Sequence, residues 1–424
     1  MPTLAIIGTG IAGLGCAYFL HSRFDLTVFE QNNYSGGHTN TVEALEEGRP
    51  VPIDTGFMVF NQVTYPNLTR LFRELGVAIK PTSMSFSVQH LPSGLEYNGG
   101  SLNLLFGQRR NLLNLRFWRM LAQVNRFNQE AVPALSEPRF ASLSLREYVA
   151  VRGYGEDMLN LYLLPMSSAV WSTPPEKMLD FPAPTLLRFW HNHGLLGLSA
   201  QHPWYTVANG ARSYVQKITA PFRERILLGR KAVRVKRGGE KVAVTLADGE
   251  TRTFDKVILA CHADQALALL ADPTDQEQRL LREFKYQPNT ATLHTDASVM
   301  PRTLRCWASW NYRLALDAQG RPCPTTHYWM NSLQGVSRNV NYFVSLNSEG
   351  QIASDKILRH FDYEHPLFNL AALVAQAELP PLNHIASSQS IYYAGAWFKY
   401  GFHEDGLNSA LACARALTGE NLWS

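Results

Sequence analysis

The chain opens on an apolar run that gives way abruptly to small residues: Ala5-Ile6-Ile7 is followed by Gly8-Thr9-Gly10-Ile11-Ala12-Gly13. A short apolar run bounded by glycine reads as a buried strand, and the residues from Cys16 to His21 read as the helix that follows it. A second apolar run, Leu26-Thr27-Val28-Phe29, ends in Glu30. Comparable runs return at 254–261, which predicts a buried parallel strand before a helix over 262–270, and at Tyr392-Tyr393-Ala394-Gly395-Ala396. Between them, 226–235 and 242–246 alternate like antiparallel strands, with Asp248-Gly249 as the next turn. Alternation at 290–297, 303–312, 327–331 and 340–346 predicts a further, mixed sheet.

The first two runs and the glycines between them have the spacing of a dinucleotide-binding βαβ unit. Gly8 permits the tight turn, Gly10 lets backbone N–H groups approach a pyrophosphate, and Gly13 lets helix and strand pack closely. Ile11 and Ala12 then lie at the positive end of the helix, where an anion is favoured. Glu30 suits the two ribose hydroxyls of an adenosine, with Gln31 beside it, and no basic residue follows closely enough to receive a 2′-phosphate. NADP is therefore disfavoured. A polar loop, Gly36-Gly37-His38-Thr39-Asn40-Thr41, offers more bare backbone to phosphate. In Asp54-Thr55-Gly56-Phe57-Met58-Val59-Phe60-Asn61 the glycine would allow a planar ring to come close.

With these pieces in place the chain resembles the flavin-containing amine oxidase superfamily, which includes protoporphyrinogen oxidases and carotenoid desaturases. The resemblance extends to Gly401-Phe402-His403-Glu404-Asp405-Gly406-Leu407, which in that superfamily begins a helix whose N-terminus points at the flavin ring. It implies FAD as cofactor, Val233 presenting its backbone to the adenine, Gly395 and Ala396 beside the flavin, and Asp405 suited to the N-cap. His38 stands where these families usually carry arginine, and Ala396 where they usually carry an acid. Thr206 to Val215 looks like the segment that re-enters the cofactor domain, with Asn209 in place of a usual glycine. Within the superfamily the chain is most similar to bacterial flavoproteins associated with cyclopropane-fatty-acid-synthase-type methyltransferases.

The predicted fold class is therefore α/β. A Rossmann-like, three-layer FAD domain with a mainly parallel sheet would come from 1–80, 205–270 and 385–424. A discontinuous α+β substrate domain would come from 81–204 and 271–384, its mixed sheet roofing the flavin. The 424 residues, 46% hydrophobic and 17% charged, suit two globular domains. Five scattered cysteines without metal-ligand spacing suggest neither disulfide nor metal and fit a reducing cytoplasm. A net charge of +4 without basic clusters and stacking aromatics argues against nucleic acid.

Two features bear on chemistry. Over 108–127, Leu113, Phe117, Met120, Leu121, Val124 and Phe127 share one helical face, with Arg116, Arg119 and Arg126 on its flank. Such a helix either packs into the core or lies on an anionic membrane surface, placing the protein at the inner membrane as a peripheral contact. His403 and Glu404, just before the flavin-facing helix, are the catalytic candidates, as relay and as base. Their alternative role is to satisfy the local turn. Lys399 and Lys285 are each candidates to hold a water near the ring.

The resulting expectation is an FAD-dependent oxidoreductase removing hydrogen from a lipid-like substrate, a methylated fatty acyl chain, by hydride transfer to flavin N5. Amine, tetrapyrrole or carotenoid oxidation on the same scaffold is the alternative: an anchoring acid near the ring favours an amine, a long dry tunnel a lipid. A third alternative is a non-enzymatic, FAD-bound partner of a lipid methyltransferase.

Overall fold

Five parallel strands form the central sheet, in the spatial order Ile226–Leu227, Asp25–Phe29, Thr3–Ile7, Lys256–Leu259, Ile391–Tyr393. The computed structural model describes residues 1–197, 202–385 and 390–423, so the parts of 81–204 and 385–424 outside these ranges are not described. A parallel sheet is covered on both faces, which is why its strands read as unbroken apolar runs. Leu4, Ala5, Ile6, Val257, Ile258 and Leu259 are fully buried accordingly.

One face carries the helices Ile11–Leu20, Arg212–Thr219 and His403–Thr418. The other carries a three-stranded antiparallel sheet, Ala232–Arg237, Val242–Leu246 and Thr251–Phe254, with the helices Ala263–Leu269 and Asp275–Leu281. These are the three layers. One sequence expectation needs correction here. Residues 226–227 do not continue the antiparallel pair but add a parallel edge strand beside Val28 and Phe29. Gly229, at φ +67°, turns the chain from one sheet into the next.

A second sheet has seven strands in the order Ile357–Leu367, Lys285–His294, Phe343–Leu346, Pro322–Trp329, Trp310–Leu316, Phe86–His90, Leu95–Asn98. It is mixed, because Trp310–Leu316 runs parallel to Phe86–His90 while the other pairs are antiparallel. Pattern alone misplaced several boundaries. Leu304–Cys306 is a 3-10 turn and the strand begins only at Trp310, while Met330–Gln334 is helical. The strand Ile357–Leu367 was not anticipated, since its sequence mixes charged and apolar residues without clean alternation.

Residues 115–192 are mainly helical and pack around Phe127, Tyr148, Trp171, Phe189 and Trp190. The helix expected over 108–127 runs instead from Leu115 to Ala134. Asn114 starts it by accepting the N–H groups of Arg116 and Phe117 at 3.1 and 3.2 Å, after a single 3-10 turn. Phe117, Met120 and Phe127 are buried, but Leu113 falls outside the helix and is 90% exposed. Among the described residues no helix is long and apolar enough to cross a membrane.

The second sheet encloses two of the buried histidines that contribute to an acid limit. His294 and His327 share the Ser345 hydroxyl at 2.6 Å each, and Thr325 bonds His327 at 2.9 Å. Burial holds His294 down at about 4 and His327 well below its usual value. On unfolding both return to about 6.5 and bind protons. Their contribution is thus fully present above that pH and is lost as pH falls towards 4. The thermal midpoint should drop steadily over this interval, and the double variant His294→Gln/His327→Gln should flatten the drop. An identical slope in the variant would refute this origin.

Candidate functional site

The site grows from the turn between the first strand and the first helix. Gly8 adopts φ +106°, and a Cβ there would meet the Ala260 carbonyl oxygen at 2.6 Å; one on Gly13 would meet the Gly8 carbonyl at 2.0 Å. Both glycines therefore let backbone pack on backbone. Gly10 differs, since a Cβ there would meet nothing within 4 Å and would project into the cavity it lines. The helix Ile11–Leu20 has no side-chain cap and no acidic residue in its first turn. Its N-terminal N–H groups are left for an anion.

This turn opens into a cavity of about 1020 Å³. It is lined at one end by Gly8, Gly10, Ile11, Ala12, Glu30, Gln31, Gly36, Gly37, His38 and Val233, and towards the second sheet by Thr55, Gly56, Phe57, Gly395, Ala396 and His403. The size lies at the top of the roughly 300–1,000 Å³ range of ligand sites, as a dinucleotide with a further ligand requires. An uncapped helix end, a glycine open to the cavity and the unpartnered, buried Nε2 of His38 together fit a flavin dinucleotide.

Glu30 is buried at the adenosine end, and its oxygens already accept from within the chain. Oε2 takes the Thr9 N–H at 3.0 Å and the Thr9 hydroxyl; Oε1 takes the Asn32 N–H and side-chain amide, each at 2.9 Å. A ribose would share these acceptors with Thr9 and Asn32. Arg230, invisible to a search along the sequence, also lines this end, but its guanidinium is paired with Asp248 and Glu250.

Around His38 the structure gathers residues that sequence did not connect. His38 stacks on Tyr363 at 5.1 Å and lies 5.3 Å from His365 and 6.4 Å from His262, ring centre to ring centre. His262 stacks on Tyr286 at 4.2 Å, and its Nδ1 is 3.3 Å from the Glu364 carboxylate. Burial, with mutual repulsion second, pushes His38 down to about 4 and His365 to about 3. Tyr363 and His365 arrive on the unanticipated strand Ile357–Leu367.

Several expected site residues support the cavity from behind. Asp54 is buried and away from the lining: it accepts the Thr41 hydroxyl, the Ala211 N–H at 2.9 Å and the Gln334 amide at 2.5 Å. Burial pushes its carboxyl up to about 6 against the pull of these donors. Thr39 bonds Tyr214 at 2.6 Å and His403 at 2.9 Å. Gly56 lines the cavity, and a Cβ built on it would lie 2.2 Å from the His38 carbonyl oxygen. Gly406 and Leu407 pack the last helix onto the first, with Gly406 against Ile11.

Asp405 is not the N-cap. The helix begins at His403 after Phe402, and the Asp405 carboxylate reaches back to the N–H groups of Phe402 and Tyr400 at 3.0 and 3.2 Å. Burial raises it to about 7.

The structure separates the two catalytic candidates. Glu404 does not line the cavity; its carboxylate accepts the N–H groups of Asn67 and Leu68 at 3.0 and 2.9 Å and so caps the helix Pro66–Glu74. His403 does line it, stacked on Phe57 at 3.7 Å, with Nε2 bonded to Thr39 and to Tyr214 at 3.2 Å. Burial first, and His38 second, hold its pKa at about 3. That leaves it neutral and a weak base. Lys285 and Lys399 are exposed and neither lines the cavity.

Past Phe402 the cavity turns apolar. Phe402 stacks on Phe189 at 5.0 Å, Phe189 on His193 at 3.8 Å, and His193 faces Trp204 and Tyr65 at 6.4 and 6.2 Å. Met166, Val170, Leu195 and Tyr328 complete this end, and no carboxylate stands among them. The lining carboxylates are Glu30, Asp362 and Glu364. Trp310, Trp397 and Phe402 also line the cavity, while Tyr392 and Tyr393 are sheet core.

Two substitutions separate cradle from scaffold. Gly10→Val should leave the thermal midpoint of the apoprotein nearly unchanged while abolishing FAD uptake, because its side chain meets only cavity. His38→Ala should weaken FAD binding about tenfold, or about 1.4 kcal/mol, in a fluorescence titration of apoprotein. Normal FAD affinity in both variants would show that the dinucleotide lies elsewhere.

The family model described as flavin containing amine oxidoreductase matches residues 11–304. No curated protein matches the chain. Solved structures share its fold at low identity. A fatty acid isomerase from P. acnes that produces CLA is 14% identical with a TM-score of 0.67, covering 96% of this chain and 97% of its own. Cyclohexylamine oxidase from Brevibacterium oxydans is 16% identical at 0.67, covering 98% of each chain. Wild-type putrescine oxidase bound to putrescine is 11% identical at 0.68, covering 99% of each. The family match spans most of the chain, from the N-terminus of the first helix to residue 304, so the protein belongs to the flavin-containing amine oxidoreductase family, whose cofactor is FAD.

Proposed function

We propose that this flavoprotein dehydrogenates a long apolar substrate, a fatty acyl chain and a methylated one in particular. The observation that supports this reading is the apolar end of the cavity, continuous with the cofactor cradle and, among the described residues, without a carboxylate to hold an ammonium group. An amine substrate would leave its charge unpaired there, at a cost of several kcal/mol. The fold is shared with a protein named for action on a fatty acid.

FAD supplies the two-electron acceptor for the hydrogen removed as a carbon–carbon double bond forms, and oxygen or another oxidant then takes the electrons. The chain's own residues bind and orient the substrate. The Phe402, Phe189 and His193 rings and the side chains of Met166, Val170 and Leu195 would hold an acyl chain by apolar contact. His403, neutral and locked by Thr39, Tyr214 and Phe57, positions the wall beside the reacting carbon. Water in the cavity would take the proton.

Anaerobic addition of methylated acyl phospholipids should bleach the flavin absorbance and yield a product lighter by two hydrogens. His403→Gln should slow bleaching about tenfold with no new pH dependence between 6 and 9, while Glu404→Gln should lower the thermal midpoint and leave bleaching near normal. Bleaching by simple amines but not by lipids would overturn the substrate assignment. A wild-type ionisation near 7 that vanishes in His403→Gln would restore histidine as the base.

A further inference from the structure

Away from the cavity, one stretch of surface departs from ordinary soluble composition. Leu113 is 90% exposed, Leu304 74%, Leu115 72%, Leu102 67%, Leu112 49% and Trp118 46%. They converge because the short helix Leu102–Leu105, the turn Arg109–Leu113 and the start of the helix Leu115–Ala134 follow one another, while Leu304–Cys306 packs against the first of these. A Cβ on Gly107 would lie 3.0 Å from Cys306 Sγ and 3.2 Å from Arg305 Cβ, which fixes that adjacency.

The charged residues within 102–119 and 304–306 are all basic. Arg109, Arg110, Arg116, Arg119 and Arg305 are all exposed. Arg116 is paired with Asp157, and Arg109 and Arg110 bond carbonyl oxygens of Asn103, Phe106 and Gly94, which leaves their charge uncancelled. Arg119 and Arg305 have no hydrogen-bond or ion-pair partner among the described residues. Trp118 is held in place, its Nε1 donating to the Leu112 carbonyl at 3.0 Å and its ring tilted on Phe106 at 5.0 Å.

Exposed leucines, a fixed tryptophan and a ring of arginines are what an interfacial element requires. The apolar side chains enter the acyl boundary and the guanidiniums remain at the phosphates. Six such leucine and tryptophan side chains together are more than a scatter of surface hydrophobes. We infer that this surface docks the protein on an anionic phospholipid bilayer. The underside of the patch, through Phe106 and Phe117, belongs to the same apolar cluster as Phe86, which lines the main cavity. The apolar cluster beneath the patch thus reaches the cavity lining at Phe86. The inference is carried by the surface and does not depend on which substrate the flavin oxidises.

The test is sedimentation of the FAD-loaded protein with vesicles of phosphatidylcholine, with and without phosphatidylglycerol. The wild type should partition at least about tenfold more strongly onto the anionic vesicles, and several hundred millimolar salt should weaken that binding. Leu113→Asp/Leu115→Asp and, separately, Arg119→Glu/Arg305→Glu should each reduce partitioning by about tenfold. Their FAD content and thermal midpoint should stay at wild-type values, since none of these residues touches the cavity. Equal binding to neutral vesicles, no binding to either, or full binding by both variants would overturn the inference. A wild-type dimer that Leu113→Asp/Leu115→Asp converts to monomer, without vesicle binding, would assign the surface to a second copy instead.

Discussion

The structure depends on backbone segments far apart in sequence being brought into direct contact around an uncapped helix end. The turn at Gly8 lies against the Ala260 carbonyl, Gly13 against Gly8, Gly37 against Gly10, and Gly56 against the His38 carbonyl. Side chains are excluded from these contacts, so the cradle is made of N–H groups and bare Cα atoms. A helix N-terminus in such surroundings carries a partial positive charge that water would otherwise satisfy. The cavity's first job is to give that charge an anion.

Buried polar groups then tie the substrate-side elements to the cradle. Asp54 joins Thr41, the start of the helix Arg212–Thr219 and Gln334 beyond the second sheet, linking three regions through one carboxylate. Thr55 and Asn40 both bond the Tyr363 hydroxyl, which brings the strand Ile357–Leu367 over the cavity. Glu404 anchors the last helix to the helix Pro66–Glu74. Each is a polar residue whose work is to hold neighbouring segments together. The face left for a substrate is consequently aromatic and aliphatic.

The glycine end of the cavity was legible in the sequence because backbone packing shapes it. Glycines that must be glycine, and an acidic residue at a strand end, leave a local signature: Gly8 and Gly13 make close backbone contacts, and Gly10, Glu30, Gly36 and Gly37 line the cavity. The rest was hidden for physical reasons. The direction of Asp54, Glu404 and Asp405 is decided by which helix end lies nearby, and no local pattern records that. Histidines 38, 262 and 365 come from three separate segments and meet only after the second sheet closes. The depression of His403 likewise comes from tertiary burial. Leu113 fitted the periodic face but fell before the helix began, because Asn114 caps it.

The central claim is that one continuous cavity holds FAD in the glycine cradle and an acyl chain beyond it. A crystal structure of the holoprotein with a long-chain acyl ligand tests it most directly. The account predicts the dinucleotide extending from Glu30 past Gly10 and His38 towards Ala396, with the acyl chain among Phe189, Met166, Leu195 and Phe402. A chain bound at any other place, or a flavin whose pyrophosphate does not meet the N-terminus of the helix Ile11–Leu20, would contradict it.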